Sequence, residues 1–242
     1  MSVTTVTAKK AATHAGKTTH TELPTADFPV EFLEPILRVR ASRTDAALRR
    51  TLDVVVSAAA LLLLLPLLVL VALLIRLDSS GSVLFVQTRV GKDGHLFPVF
   101  KFRSMFTNAE DSLSSVLAAN ERTGPVFKMK RDPRITRVGR TLRRCSLDEV
   151  PQLLNVLRGE MSLVGPRPAL PREVSLYTPS QRVRLSVTPG LTGLWQVSGR
   201  AELSFEQSVA LDLEYVRRQC LGLNVVLILR TIPAVITGHG AY

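Results

Sequence analysis

Residues 52–75 read LDVVVSAAALLLLLPLLVLVALLI, about 24 residues whose one charge, Asp53, stands at the edge. As a straight helix rising ~1.5 Å per residue, this run is long enough to cross a hydrocarbon core of ~30 Å. Pro66 complicates that picture. A proline inside a helix removes one hydrogen bond and clashes with the carbonyl four residues back. The run is therefore expected as two arms meeting at a kink, each too short to span alone. Its flanks are basic on both sides, with Arg49 and Arg50 before it and Arg76, Arg89, Lys92, Lys101 and Arg103 after it. Basic flanks stay cytoplasmic. With both ends on one face, the helix would enter, turn at Pro66 and leave by the same side. Composition alone leaves a simple spanning helix, with a tolerated proline, equally open.

The chain has 242 residues, which argues against two large independent domains. Lys and Arg number 31 against 20 Asp and Glu, a net charge of +11. With a mean hydropathy of +0.20, this balance fits a membrane element and an anionic partner: nucleic acid, a phospholipid surface or a phosphorylated small molecule. An aromatic content of 5% without a recognisable reading motif argues against nucleic acid. Cys145 and Cys220 lie far apart in a chain too long to need stapling, so a disulfide framework is not expected and the bulk should sit in cytosol. His14, His20, His95 and His239 are scattered without ligand spacing, which argues against zinc. Any metal is expected to be a hard cation held by carboxylates.

Three divisions are expected: a basic, disordered tail over 1–45, a membrane helix over 46–78 and one folded unit over 79–242. The first 27 residues are mostly Thr, Ala, Lys, His and Ser, without the apolar core of a secretory signal or the arginines of a transit peptide. VLFVQTRV and HLFPVFKF, separated by GKDG, alternate like the strands of a β-hairpin. Capping-box spacing at Thr107 and Glu110, at Ser146 and Glu149, and at Ser204 and Gln207 marks three helix starts, the second ended by Gly159. The apolar stretch 221–235, interrupted by Arg230 and Pro233, is too short for a second span and is expected either in the core or at a membrane interface.

Asp148 and Glu149 follow Arg143 and Arg144 at an expected helix start, where free amides and nearby arginines favour anions. A carboxylate beside a phosphate can attack phosphorus and form an acyl phosphate. Spacing alone favours a plainer role, with Glu149 closing a capping box and Asp148 complementing the helix dipole. Gly165-Pro166-Arg167-Pro168 restrains the backbone around one arginine and so limits the entropy lost when it grips a phosphate. Residues 189–200, PGLTGLWQVSGR, bring backbone close to a ligand and present Arg200, or else form a glycine-rich strand edge with Trp195 in the core. Asp132 and Asp212 are further acids suited to a divalent cation, although most such residues are solvated.

Taken in order, KFRSM (101–105), DPRITRVGRTLRRCSLDEVPQLLNVLRGEMSLVGPRP (132–168), PGLTGLWQVSGR (189–200) and the closing LDLEYV and GAY resemble the bacterial sugar transferase family, the monotopic phosphoglycosyl transferases that start lipid-linked glycans. The resemblance covers residues 50–242 and reverses the plainer readings. It implies transfer of a sugar 1-phosphate from a UDP-sugar to a polyprenyl phosphate such as undecaprenyl phosphate, with Mg²⁺ and release of UMP. Carried over by motif position, it makes Asp148 the nucleophile and Glu149 its partner, acting through Mg²⁺ and as base on the lipid phosphate. It places Arg143, Arg167 and Arg200 near the phosphates, with Lys101 at a further substrate-binding position and Asp212 beside Glu149 as a metal carboxylate. Leu65 stands before Pro66 where small members often have Ser, and Cys145 stands where Thr or Ser is usual.

The expected fold is an α-rich α+β domain with a small β-hairpin. It would rest on the cytosolic face of the bacterial inner membrane through a re-entrant helix kinked at Pro66 and amphipathic interfacial helices. A helix exposed in lipid is compatible with homo-oligomers. The alternative function is a non-catalytic, membrane-anchored module that binds anionic lipid or scaffolds a polysaccharide assembly complex.

Overall fold

The computed structural model describes residues 42–109, 111–112, 129, 132–199 and 202–237. The expected N-terminal tail, nearly all of the helix expected after Thr107, Arg200 and the closing GAY lie outside the described residues. Helix α1 (Arg43–Asp78) starts at Ser42, whose hydroxyl accepts from the Asp45 amide at 3.1 Å. It runs through Pro66 with helical residues on both sides, so the expected arms are joined in one element. Among the described residues it is the one helix long and apolar enough to cross a membrane, with a mean hydropathy of 3.1 in its apolar window.

Polar side chains near its start set α1 against the rest of the chain. Arg50 donates to the Val156 and Leu157 carbonyls at 2.6 and 2.8 Å, at the end of α3 (Leu153–Arg158) where helical carbonyls lack partners. Asp53 accepts from the Leu163 amide at 2.9 Å and the Ser162 hydroxyl at 3.1 Å. Asp45 accepts from the Leu221 amide at 2.8 Å, at the start of α8 (Leu221–Thr237). Apolar packing then continues on both sides of Pro66. Val56, Ala60 and Leu61 lie against the main core, and Val71 and Ile75 join Phe102 and Leu142 in a second cluster. Between them Leu62, Leu63, Leu65 and Leu67 are exposed.

The expected hairpin is present as β1 (Leu84–Val90) and β2 (Leu96–Phe102), antiparallel with Gln87 opposite Val99. Period-two alternation puts Arg89 and Lys101 on the same face as Phe97 and Val99. Helix α2 (Arg137–Arg144) is capped by the Thr136 hydroxyl, which accepts from the Gly139 amide at 3.0 Å. A second sheet pairs β3 (Ser162–Val164) with β4 (Gly190–Thr192) in parallel. Its connection carries α4 (Pro171–Val174) and α5 (Pro179–Arg182), and β4 is followed by α6 (Leu194–Val197).

Gly165 and Gly190 let β4 meet the arginine loop backbone to backbone. A Cβ on Gly165 would lie 2.5 Å from the Thr188 carbonyl oxygen, and one on Gly190 would run into the Gly165 amide. Gly190→Ala is therefore expected to lower stability by about 1–3 kcal/mol, the usual cost of forcing atoms into packed space, read by chemical denaturation.

Helix α7 (Phe205–Arg218) forms the expected capping box between Ser204 and Gln207. In α8, Leu223 and Leu227 enter the core, whereas Val225, Leu229 and Ile232 are exposed. One face of this stretch thus packs inward while the other keeps an apolar surface. Neither cysteine is disulfide-bonded, and Cys145 is exposed. The α-rich α+β expectation holds as a set of helices around two small sheets, the parallel pair being additional to the hairpin.

Candidate active site

The acid pair sits on a turn unlike the one its spacing suggests. Ser146 adopts φ 54°, ψ 19°, and its side chain caps nothing. Left-handed backbone is costly for a residue with a Cβ, and such conformations gather at functional sites. Residues Leu147–Gln152 form a 3₁₀ turn, not the first turn of an α-helix. The expected capping box is absent, because left-handed Ser146 offers the Glu149 amide its carbonyl at 3.2 Å in place of its hydroxyl. The Glu149 side chain is thereby released from the backbone.

Glu149 Oε1 instead accepts from Lys101 Nζ at 2.7 Å and Arg167 Nη2 at 3.0 Å. Lys101 comes from β2, and Arg167 from the proline-flanked loop after β3. Burial opposes the charge on Glu149, but Arg167 and Lys101, by charge and hydrogen bond, hold its carboxyl well below the usual carboxylate range. Asp148, 8% exposed, moves the other way. Burial and the adjacent Glu149 charge push its carboxyl up, against the pull of Lys101, Arg143 and Arg167, and among the described residues no hydrogen bond assists its ionisation. Two neighbouring carboxyls driven apart in this way are suited to different roles.

Arg143, from α2, donates through Nε to the Ser104 hydroxyl at 2.9 Å, and its charge acts on Asp148. The structure thus brings together Lys101, Arg143, Asp148, Glu149 and Arg167. It adds Arg89, whose Nη1 donates to the Pro168 carbonyl at 3.0 Å. Burial and the nearby Arg167 push the Arg89 guanidinium down to about 10. Four cations here face Asp148, Glu149 and the Glu173 charge that also acts on Arg89 and Arg167. The surplus favours an anion. A small cleft opens between Arg89, Lys101, Gln152 and Arg167, walled by Val99, Pro168 and Gly190.

Asp212 stands apart from the acid pair's own contacts. It is fully buried in α7 and ion-paired with Arg184, and burial pushes its carboxyl up to about 6 although Arg184 pulls it down. Arg184 in turn donates to the Arg167 carbonyl at 3.2 Å and the Tyr177 hydroxyl at 3.0 Å. The pair therefore supports the Arg167 loop from behind. Asp132 is likewise engaged, with Arg134 at 2.6 Å. Arg89 and Gln152 escaped the sequence reading. Strand alternation put Arg89 on the face of Lys101, but which face meets a cleft depends on packing.

A model of the bacterial sugar transferase family matches residues 44–238. The exopolysaccharide production protein ExoY of Sinorhizobium fredii is 42% identical over 198 residues, covering 80% of this chain and 88% of the relative. A UDP-galactose-lipid carrier transferase of Erwinia amylovora is 43% identical over 218 residues, 86% of this chain and 45% of the relative. A UDP-glucose:undecaprenyl-phosphate glucose-1-phosphate transferase of Caulobacter vibrioides is 42% identical over 205 residues, 80% and 72%. The matched region contains all but the first residue of α1, the acid pair and the cations around it, and on this extent of similarity the chain belongs to the bacterial sugar transferase family.

Proposed function

We propose that the chain transfers a sugar 1-phosphate from a UDP-sugar to polyprenyl phosphate, such as undecaprenyl phosphate, as the first step of exopolysaccharide, capsule, O-antigen or glycoprotein glycan assembly. The observation that carries this reading is the division within the acid pair. Glu149 is clamped by two cations that favour its charge, while Asp148 has no hydrogen bond among the described residues to hold it back. In the first step an Asp148 oxygen attacks the phosphorus bearing the sugar, the bond from that phosphorus to the bridging oxygen breaks, and UMP leaves with the electron pair. In the second, a phosphate oxygen of the lipid attacks the same phosphorus and the Asp148 carboxylate is released. Lys101, Arg143 and Arg167 stabilise charge on the phosphoryl oxygens. A soluble donor and a membrane-bound acceptor can then react in turn.

The acid pair fits Mg²⁺. Both bonds to Glu149 fall on Oε1, and among the described residues no three His, Cys, Asp or Glu gather into a protein cage. Mg²⁺ characteristically takes one or two carboxylates with substrate phosphates, so Asp148 and Glu149 would hold it. When bound, it would neutralise charge on the transferring phosphoryl group.

Packing of α1 supports a re-entrant, monotopic course. At ~1.5 Å per residue its 36 residues extend about 54 Å, yet segments on both sides of Pro66 lie against the folded unit. A spanning helix would carry those segments to opposite faces. The exposed leucines around Pro66 and the exposed apolar face of α8 would enter lipid, leaving the acid pair on the cytosolic face of the inner membrane.

Intact-mass measurement of the detergent-solubilised chain tests the proposal, with Mg²⁺ and a panel of UDP-sugars including UDP-glucose and UDP-galactose. A gain of one sugar phosphate with release of UMP is expected for at least one donor. Neither adduct nor UMP with any donor overturns it.

A further inference from the structure

Gln152 closes the turn that carries the acid pair and takes no part in the chemistry above. It is 3% exposed, and its Nε2 has no hydrogen-bond partner among the described residues. A buried amide left unpaired costs about 1–3 kcal/mol, a cost removed by whatever ligand pairs it. The residue lines the cleft beside Arg89, Lys101 and Arg167. Arg89 is held firmly there: Nε and Nη2 both donate to Gln87 Oε1, at 3.0 and 2.6 Å, and Nη1 to the Pro168 carbonyl. A guanidinium has five N–H donors, so two remain after these bonds. Lys101 and Arg167 reach Glu149 from the same cleft and bring it next to the acid pair.

The charged lining is entirely cationic, and the orphaned group is an amide donor. The matching ligand is an anion rich in acceptors. A phosphoryl group, whose non-bridging oxygens carry charge and accept several hydrogen bonds, answers that description.

We propose that Gln152 and Arg89 form a phosphoryl-binding subsite beside the acid pair, with the Gln152 amide donating to one non-bridging oxygen and the Arg89 guanidinium to another. A neutral donor adds a hydrogen bond without adding to the repulsion among the arginines. The donor's diphosphate and the lipid's phosphate present the same chemistry, and kinetics distinguish them. The inference deepens the transferase reading and rests on it.

The test uses the full chain in lipid nanodiscs, with Gln152→Glu and Gln152→Met beside the native protein. Calorimetric titration with inorganic pyrophosphate is expected to show binding to the native chain, weakened at least tenfold in both variants. Thermal unfolding should not fall in Gln152→Met, because an apolar side chain removes the orphaned amide; a purely structural Gln152 would lower it. In two-substrate kinetics, a tenfold loss of kcat/KM confined to the UDP-sugar assigns the subsite to the donor. The same loss confined to undecaprenyl phosphate assigns it to the acceptor.

No binding of pyrophosphate by the native chain overturns the subsite. So does native kcat/KM for both substrates in both variants, an outcome that leaves the transferase reading standing. Binding that depends on Gln152 in a chain that turns over no UDP-sugar has the opposite meaning: the subsite stands and the reading fails.

Discussion

Asp148→Asn is expected to abolish sugar-phosphate transfer, with turnover falling by about four orders of magnitude or more, as when the nucleophile of a covalent mechanism is removed. An amide nitrogen or oxygen in the same place forms no stable phosphoryl ester, so both half-reactions stop. The fold should survive. Burial already disfavours the Asp148 charge, and an isosteric neutral side chain relieves that cost. The check is threefold: release of UMP, the mass of the protein after incubation with donor, and the thermal midpoint. Full activity in a folded variant would overturn the role given to Asp148.

Glu149→Gln is expected to cost both rate and stability, for a different reason. It leaves Lys101 and Arg167 without the carboxylate they share. Exposed ion pairs are worth about 0–1 kcal/mol, and breaking fully buried ones costs about 3–5. With Lys101 15% and Glu149 19% exposed at the side chain, a loss of about 2 kcal/mol at neutral pH is expected. Because the native Glu149 carboxyl is depressed, its contribution is present above its ordinary pKa of 4.5 and lost as pH falls toward the depressed value. The stability gap between native and variant therefore narrows in acid. Turnover should fall about 10²–10⁴-fold, the range for a positioned acid–base group.

The same substitution should move the pH profile of any residual activity. Asp148 attacks only when ionised, so native activity declines as pH falls through its raised pKa. Removing the Glu149 charge takes away one cause of that rise and leaves the cations in place. The acid limb of kcat/KM in Glu149→Gln is then expected at lower pH than in the native enzyme. An unmoved limb would show that Glu149 does not act on the group that titrates.

Much of this was legible locally. Hairpin alternation, the Ser204–Gln207 cap and Gly159, left-handed at φ 83°, each depend on neighbours a few residues away, and each formed as its pattern indicates. The Ser146–Glu149 spacing was equally local and misleading. Distant charges bid for the Glu149 side chain, and Lys101 and Arg167 outweighed one backbone amide. Asp212 likewise meets a partner that spacing does not reveal, since Arg184 reaches it within the fold.

What residue order alone determined is the apolar run around Pro66, the adjacency of Asp148 and Glu149, and an excess of arginine and lysine that calls for an anionic ligand. These follow from composition and spacing, which no packing alters. Tertiary structure decided which carboxyl is clamped and which is left open, which strand face turns Arg89 toward the cleft, and that the Gln152 amide nitrogen lies there without a partner among the described residues. Such outcomes depend on charges and donors far apart in the chain meeting within hydrogen-bond range, where limited water makes each contact count.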